Sequence, residues 1–184
     1  MKIVGIVIIV LIVLVVLYFI SAYNSFVKLR NNVKEGWSQI DVQLKRRFDL
    51  IPNLLETVKG YMKHEKETLE AVVNARNSYA SAKSNSEAMK ADSDLTNTLN
   101  KLFALAESYP DLKANQNFLS MQGELSNTED KISQAREYYN TTVNTYNTKT
   151  KMFPSNIVAG MFGFKEEAFF EAPEEQRENV KVEF

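Results

Sequence analysis

Any chemistry in this chain would have to start from one histidine. His64 is followed by Glu65, Glu67 and Glu70, and a His–Glu pair on a helix could accept a phosphoryl group. A nucleotide-binding module would have to supply that group, and 184 residues with no glycine-rich box leave no room for one. The run His64-Glu65-Lys66-Glu67-Thr68 lacks the second His, four positions on, that a zinc-protease helix requires. Tyr61 stands where a di-iron bundle places the Glu of its Glu-x-x-His pair. The chain has no Cys, so thiolate nucleophiles, thiolate metal ligands and disulfides are excluded. No catalytic, cofactor-binding or metal-ligating residue is expected. His64 reads as a helix-surface or pocket side chain, and the alternative is a switch.

The element that would position such groups centres on residues 35–54. Trp37, Ile40, Leu44 and Phe48 recur at spacings of three and four, which puts them on one helix face. Gln39, Gln43, Lys45 and Arg46 fall off that stripe. The stretch also holds the only Trp, the cluster Lys45-Arg46-Arg47, and Pro52, and it reads as packing surface.

The same residues carry a resemblance. Trp37-Ser38-Gln39-Ile40-Asp41-Val42-Gln43-Leu44-Lys45-Arg46-Arg47, then Asp49-Leu50-Ile51-Pro52-Asn53-Leu54 and Thr57-Val58-Lys59-Gly60-Tyr61, resemble the LemA family. His64-Glu65, Thr68-Leu69-Glu70, Tyr109-Pro110-Asp111-Leu112-Lys113-Ala114-Asn115, Arg136-Glu137-Tyr138-Tyr139-Asn140 and Phe153-Pro154 follow in register. The resemblance covers nearly the whole chain and implies a membrane-anchored helical bundle. It brings no enzymatic residue with it. Charged residues that share its pattern (Arg46, Arg47, Asp49, Glu107, Asp111, Glu124, Glu129 and Arg136) read as interhelical pairs that set register.

Ile3 to Ile20 is an uninterrupted apolar run. At ~1.5 Å per residue it reaches about 27 Å, close to the ~30 Å hydrocarbon core of a bilayer. It exceeds the roughly 7–15 residues of a signal-peptide core, and its one small-residue site, Ser21-Ala22, runs straight into helix-patterned sequence. An uncleaved anchor is the reading preferred over a cleaved signal. Lys28, Arg30 and Lys34 follow the span and only Lys2 precedes it, so the positive-inside rule points to a cytoplasmic C-terminal domain. The net charge of -1 argues against a nucleic-acid partner. Lys45-Arg46-Arg47 sits about 37 Å beyond Ile20 along a straight helix, several Debye lengths of ~8–10 Å from the headgroups. Pairing with the bundle's own carboxylates is therefore preferred to lipid binding.

Past the span, Phe26, Leu29, Val33, Trp37, Ile40, Leu44 and Phe48 continue one helix out of the bilayer. Gly36 costs that helix about 1 kcal/mol against Ala, which packing of Trp37 offsets. Pro52 costs ~3 kcal/mol inside a helix and little at a first turn. Helix 1 is therefore expected to end near Phe48 or Asp49, with helix 2 from Pro52 to about Ala82. The rival is one kinked helix to about Met62, since the apolar stripe keeps a mean spacing of ~3.7 through it. After the connector Lys83-Ser84-Asn85-Ser86, helix 3 spans about Glu87 to Ser108. A turn at Tyr109-Pro110-Asp111, with Asp111 capping, leads into helix 4 from about Leu112 to Met152. Phe118, Met121, Leu125, Thr128, Ile132, Ala135, Tyr139, Thr142 and Tyr146 form its coiled-coil-like seam. Tyr138, Tyr139, Asn140, Asn144, Tyr146 and Asn147 read as interior contacts with hydrogen-bonded tips, or else as a binding face.

After Phe153-Pro154 the chain turns apolar over Asn156 to Phe164, with two glycines, and then acidic. Lys165 to Phe184 holds three basic and seven acidic residues, whereas Met1 to Lys63 holds nine basic and four acidic. The tail is expected either to fold back along the first half or to remain free. Val182-Glu183-Phe184 is a conceivable ligand for a strand-adding peptide-binding domain.

The expected architecture is all-α, with a single N-terminal transmembrane helix, an antiparallel up-and-down four-helix bundle and an extended C-terminal tail. The boundaries are 1–21 for the anchor, 22–153 for the bundle and 154–184 for the tail. The function read from this is a membrane-anchored interaction or scaffold module of LemA type. Its partners are the lipid bilayer, through residues 3–20, and an unidentified protein. Self-association through the helix 4 seam is an alternative use of that seam. The second function is a signalling module that switches through His64 or a buried charge network.

Overall fold

Pro52 does not break the first helix. The computed structural model describes residues 2–170, and α1 runs Lys2–Lys59 with Pro52 inside it. The expected end near Phe48 is thus corrected in favour of one continuous helix. Burial supplies the reason: Ile51, Leu54 and Val58 have no solvent exposure and Leu55 has little. Each such side chain contributes about 1.5–3 kcal/mol on burial, which together exceeds the ~3 kcal/mol cost of the proline. The carbonyl that Pro52 cannot serve, that of Phe48, accepts a hydrogen bond from Arg76 Nε at 3.1 Å instead. The Arg76 guanidinium also lies over the Phe48 ring, 3.6 Å from its centroid.

The remaining helices are α2 (Lys66–Ser81), α3 (Asn85–Ala106), α4 (Pro110–Lys113), α5 (Gln116–Lys151) and α6 (Ser155–Phe162). The fold is all-helical, with no strand among the described residues. Local signals set these boundaries. Ser84 Oγ accepts from the Glu87 N–H at 3.2 Å, and Glu87 Oε2 accepts from the Lys83 N–H at 2.7 Å, so α3 starts two residues before Glu87. The expected turn at 109–111 is instead the entry to α4, with Pro110 in its first turn. Asp111 lies within α4 and does not cap the next helix. That role falls to Asn115, whose Oδ1 accepts from the N–H groups of Asn117 at 2.9 Å and Phe118 at 3.1 Å. The tail is also corrected: residues 155–162 are helical, and Gly163 ends α6 in the left-handed conformation at φ 71°.

The chain divides into two compact units. The first holds residues 2–39 with Ala135–Phe169. Its core is aromatic: Phe26 stacks on Phe164 at 4.8 Å and meets Tyr146 edge-on at 6.3 Å, and Trp37 meets Tyr139 edge-on at 5.8 Å. At Gly36 the α5 backbone comes so close that an added methyl would lie 3.1 Å from Tyr139 Cα and 3.3 Å from Thr142 Oγ1. The glycine is thus a contact point between helices as well as a local cost. Residues 165–168 run beside α5. Asn147 exchanges two hydrogen bonds with the Glu167 backbone (2.8 and 2.9 Å), Tyr139 Oη donates to the Ala168 carbonyl at 2.9 Å, and Lys151 pairs with Glu166 at 2.8 Å. Tyr139, Tyr146 and Asn147 are interior, while Tyr138 and Asn144 are exposed. Residues 171–184, including the Val182-Glu183-Phe184 terminus, lie outside the described residues.

The second unit is built on Ile40–Gln134. Its core is mainly aliphatic: Ile51, Leu54, Val58 and Met62 of α1 and the turn after it pack with Val72 of α2, Leu95, Leu99 and Leu102 of α3, Leu112, and Phe118 and Leu125 of α5. α2 packs against α3. The α5 seam residues from Phe118 to Tyr146 are buried, except for Met121, which is half-buried.

The N-terminal part of α1 has a different character. It contains an 18-residue window of mean hydropathy 3.6 with none of it buried. It is the one helix among the described residues long and apolar enough to cross a membrane.

Candidate functional site

The second unit buries a charge. Arg47 lies seven residues after Ile40 and three after Leu44, so it occupies a core position that apolar spacing alone would give to an aliphatic side chain. It is 2% exposed. Its Nη1 donates to Asp92 Oδ1 at 2.7 Å and to Thr96 Oγ1 at 2.8 Å, both on α3, and its Nη2 pairs with Glu129 of α5. A guanidinium suits this place because its planar fork serves several acceptors and does not deprotonate. Its neighbour Arg46 points about 100° away round the helix and reaches outward to Glu124 Oε2 at 2.6 Å. Lys45 makes only an exposed pair with Asp49 at 3.5 Å on the same helix.

Arg47, Thr96 and Glu129 form one wall of a cleft of about 510 Å³ between α3 and α5. Asn100, Gln122 and Ser126 add neutral polar groups, and Leu99, Phe103, Leu119 and Leu125 make it half apolar. The cluster joins one cation to two carboxylates. It ties α1, α3 and α5 to one another.

A second polar contact lies on the outer side of the same unit. Tyr79 Oη donates to Asp41 Oδ1 at 3.1 Å, with its ring 6.1 Å from Phe48. Burial, and then the negative charge of Asp41, push the Tyr79 hydroxyl well above its ordinary pKa of 10.0. In the first unit, burial and the Glu167 carboxylate push Tyr139 and Tyr146 in the same direction.

The sequence-derived charges divide accordingly. Arg46–Glu124 and Arg47–Glu129 are interhelical pairs, as expected. Asp49 pairs within α1, Glu107 at the end of α3 pairs with Lys113 of α4 six residues on, and Asp111 is exposed. His64 is not on a helix. It is exposed in the turn between α1 and α2, and Glu65 beside it accepts a hydrogen bond from Tyr109 Oη at 2.7 Å. Sequence reasoning missed Asp92 and Thr96. Asp92 carried a signal, since it lies three residues before Leu95 on the stripe Leu95, Leu99, Leu102, Ala106. An acid on an apolar stripe needs a partner, and Arg47 is the matching cation on the stripe of α1.

Comparison with known families decides what these residues belong to. A model described as LemA family matches residues 36–184, well over half of the chain. This chain belongs to the LemA family. The match takes in the Arg47 cluster, the cleft and α6, and it begins at Gly36, which packs against the α5 backbone. No curated protein matches this LemA-family chain.

Proposed function

We propose that this LemA-family chain is a single-pass membrane protein whose helical domain acts as a non-catalytic interaction module, tethered by residues 3–20. One observation carries the reading. From Ile3 to Ile20 every residue but Phe19 is exposed in the isolated chain. At about 25 cal/mol per Å² of apolar surface, transfer of that face from water to lipid is worth tens of kcal/mol. The finer architecture goes with it. Residues 22–153 form an antiparallel up-and-down four-helix bundle of α1, α2, α3 and α5, supported by the short connections after α1 and α2. Positive charge after the span supports a cytoplasmic bundle. Tethering raises the local concentration of the module for a protein partner in the same membrane. The seam of α5 is buried within the chain, so self-association would use another surface.

A single cysteine at the exposed Lys83 tests the placement without background, because the chain has no native Cys. A membrane-impermeant maleimide should label Lys83→Cys only after lysis, with the protein in the membrane fraction. Labelling in intact cells would put the bundle outside, and recovery in the soluble fraction would remove the tether.

The Arg47–Asp92–Glu129 cluster, with Arg47 and Asp92 buried, supports a second reading, a switch that works by rearranging this network. A well-folded Arg47→Met variant that keeps membrane location but loses partner binding would favour it.

A further inference from the structure

The anchor is not the only lipid-facing part of the first unit. We propose that α6 and the residues flanking it are a second, interfacial membrane contact, laid against the transmembrane span and seated in the same bilayer. This rests on the reading of residues 3–20 as a span.

Three observations carry it. From Met152 to Phe164 the chain has no charged residue, and Lys151 and Lys165 bracket it on either side. Lys151 pairs with Glu166, and Glu166 and Glu167 follow Lys165, so what marks the segment is its uncharged length, whose apolar side chains suit the boundary between headgroups and acyl chains. Second, this segment shows its large side chains outward: Phe153 is 79% exposed and Met161 65%. In water, such a patch beside α6 would have no cover. Third, the patch is continuous with the span. Pro154 and Ile157 line one apolar groove of about 360 Å³ together with Leu11, Leu14, Tyr18 and Phe19. If Ile3–Ile20 crosses the bilayer, those α1 residues lie below the headgroups, so Pro154 and Ile157 do as well.

The surrounding structure holds the segment there. Phe162 packs on Tyr23 at 4.9 Å, Gly163 reverses the chain, and Phe164 stacks on Phe26 at 4.8 Å. The segment that follows is tied to α5 by the paired Asn147–Glu167 hydrogen bonds. At the other end Ser155 Oγ donates to the carbonyls of Lys149 and Met152 at 2.7 and 2.9 Å, so both ends of α6 are held beside the base of the anchor, with Tyr18 and Tyr23 at the level where amphipathic rings collect. Two contacts resist rotation of the first unit about the anchor, which a single helix does not.

Nitroxide labels on single cysteines in the full chain test this in vesicles of phosphatidylcholine and phosphatidylglycerol. Phe153→Cys and Met161→Cys are compared with Ile12→Cys in the span and Lys83→Cys in water. The expected result is loss of collision with a water-soluble nickel chelate, and gain of collision with oxygen, at 153 and 161 as at 12. If 153 and 161 behave like 83 while 12 is in lipid, α6 is not a membrane contact and the span stands. If 12 also behaves like 83, the span itself fails and the proposal falls with it. Dipolar broadening at 161 with nickel protection, absent at 12, would show a second copy covering the face and would overturn the lipid assignment.

Discussion

The two compact units use parts of the same long helices, α1 and α5, yet hold them by different physics. In the first, α1 and α5 meet through rings, a glycine and amide-to-backbone hydrogen bonds: Trp37 on Tyr139, Phe26 on Tyr146 and Phe164, Gly36 against Tyr139, and Asn147 on Glu167. In the second, mostly aliphatic side chains fill the core, and one buried cation joins two carboxylates from other helices. Ring and glycine contacts depend on shape and on how closely backbones approach. The ionic cluster depends on charge balance in a dry place. Changes that preserve shape should therefore spare the first unit and damage the second, and changes that preserve charge should do the reverse.

The sharpest break of that contrast is Arg47→Ala. It leaves Asp92, 1% exposed, and Glu129 without their shared cation, which should cost about 3–5 kcal/mol by denaturant unfolding. A melt unchanged from the parent would show that the cluster is not what holds the second unit. In the first unit the counterpart is Gly36→Leu, which forces apart backbones already near contact and should cost about 1–3 kcal/mol. Its control is Gly123→Ala. A methyl there meets nothing within 4 Å, so the change should stabilise α5 by up to about 1 kcal/mol through helix propensity. If both glycine changes act alike, close approach is not the property that matters at Gly36.

The smallest effect is one of pH. Folding raises the hydroxyl pKa of Tyr79 in the second unit and of Tyr139 and Tyr146 in the first. Above the unfolded value of 10.0 the unfolded chain loses a proton that the folded chain keeps. Stability therefore falls as pH rises from about 10 toward each folded pKa, and the contribution is intact below that window. Asp41→Asn removes the neighbouring charge at Tyr79 and should shallow this alkaline loss in denaturant titrations between about pH 9 and 11. An equal slope in the variant would mean that the Tyr79–Asp41 contact contributes nothing in solution.

Much of the packing was legible because it is periodic. The α5 seam from Phe118 to Tyr146 could be read at spacings of three and four, and it is buried in that pattern. Tyr139 and Tyr146 lie on that seam and are interior; of the other Tyr and Asn side chains read as interior near them, Asn147 is buried and Tyr138 and Asn144 are exposed. The charge cluster was half legible. Arg47 and Glu129 stood out, but Asp92 was read past because local patterning counts an acid as surface until a partner from a distant helix arrives. His64 and Asp111 were assigned by local rules, and the segments around them folded otherwise.

From its sequence alone this protein is determined to be helical, to carry one apolar stretch of membrane-spanning length at its start, and to belong with the LemA pattern. Those properties are local or cumulative: hydropathy, helical periodicity and runs of matching residues. Tertiary structure decided the rest. It carried α1 through Pro52, because Arg76 of α2 supplies the lost donor and the core beyond offsets the cost. It drew Arg47 inside, because two carboxylates from other helices meet it there. It also set the start of α6 beside the apolar N-terminal part of α1, where Pro154 and Ile157 share a groove with Leu14 and Tyr18, and tied the segment after Gly163 back to α5. Each of these is a contact between residues far apart in the chain, whose free energy no local pattern contains.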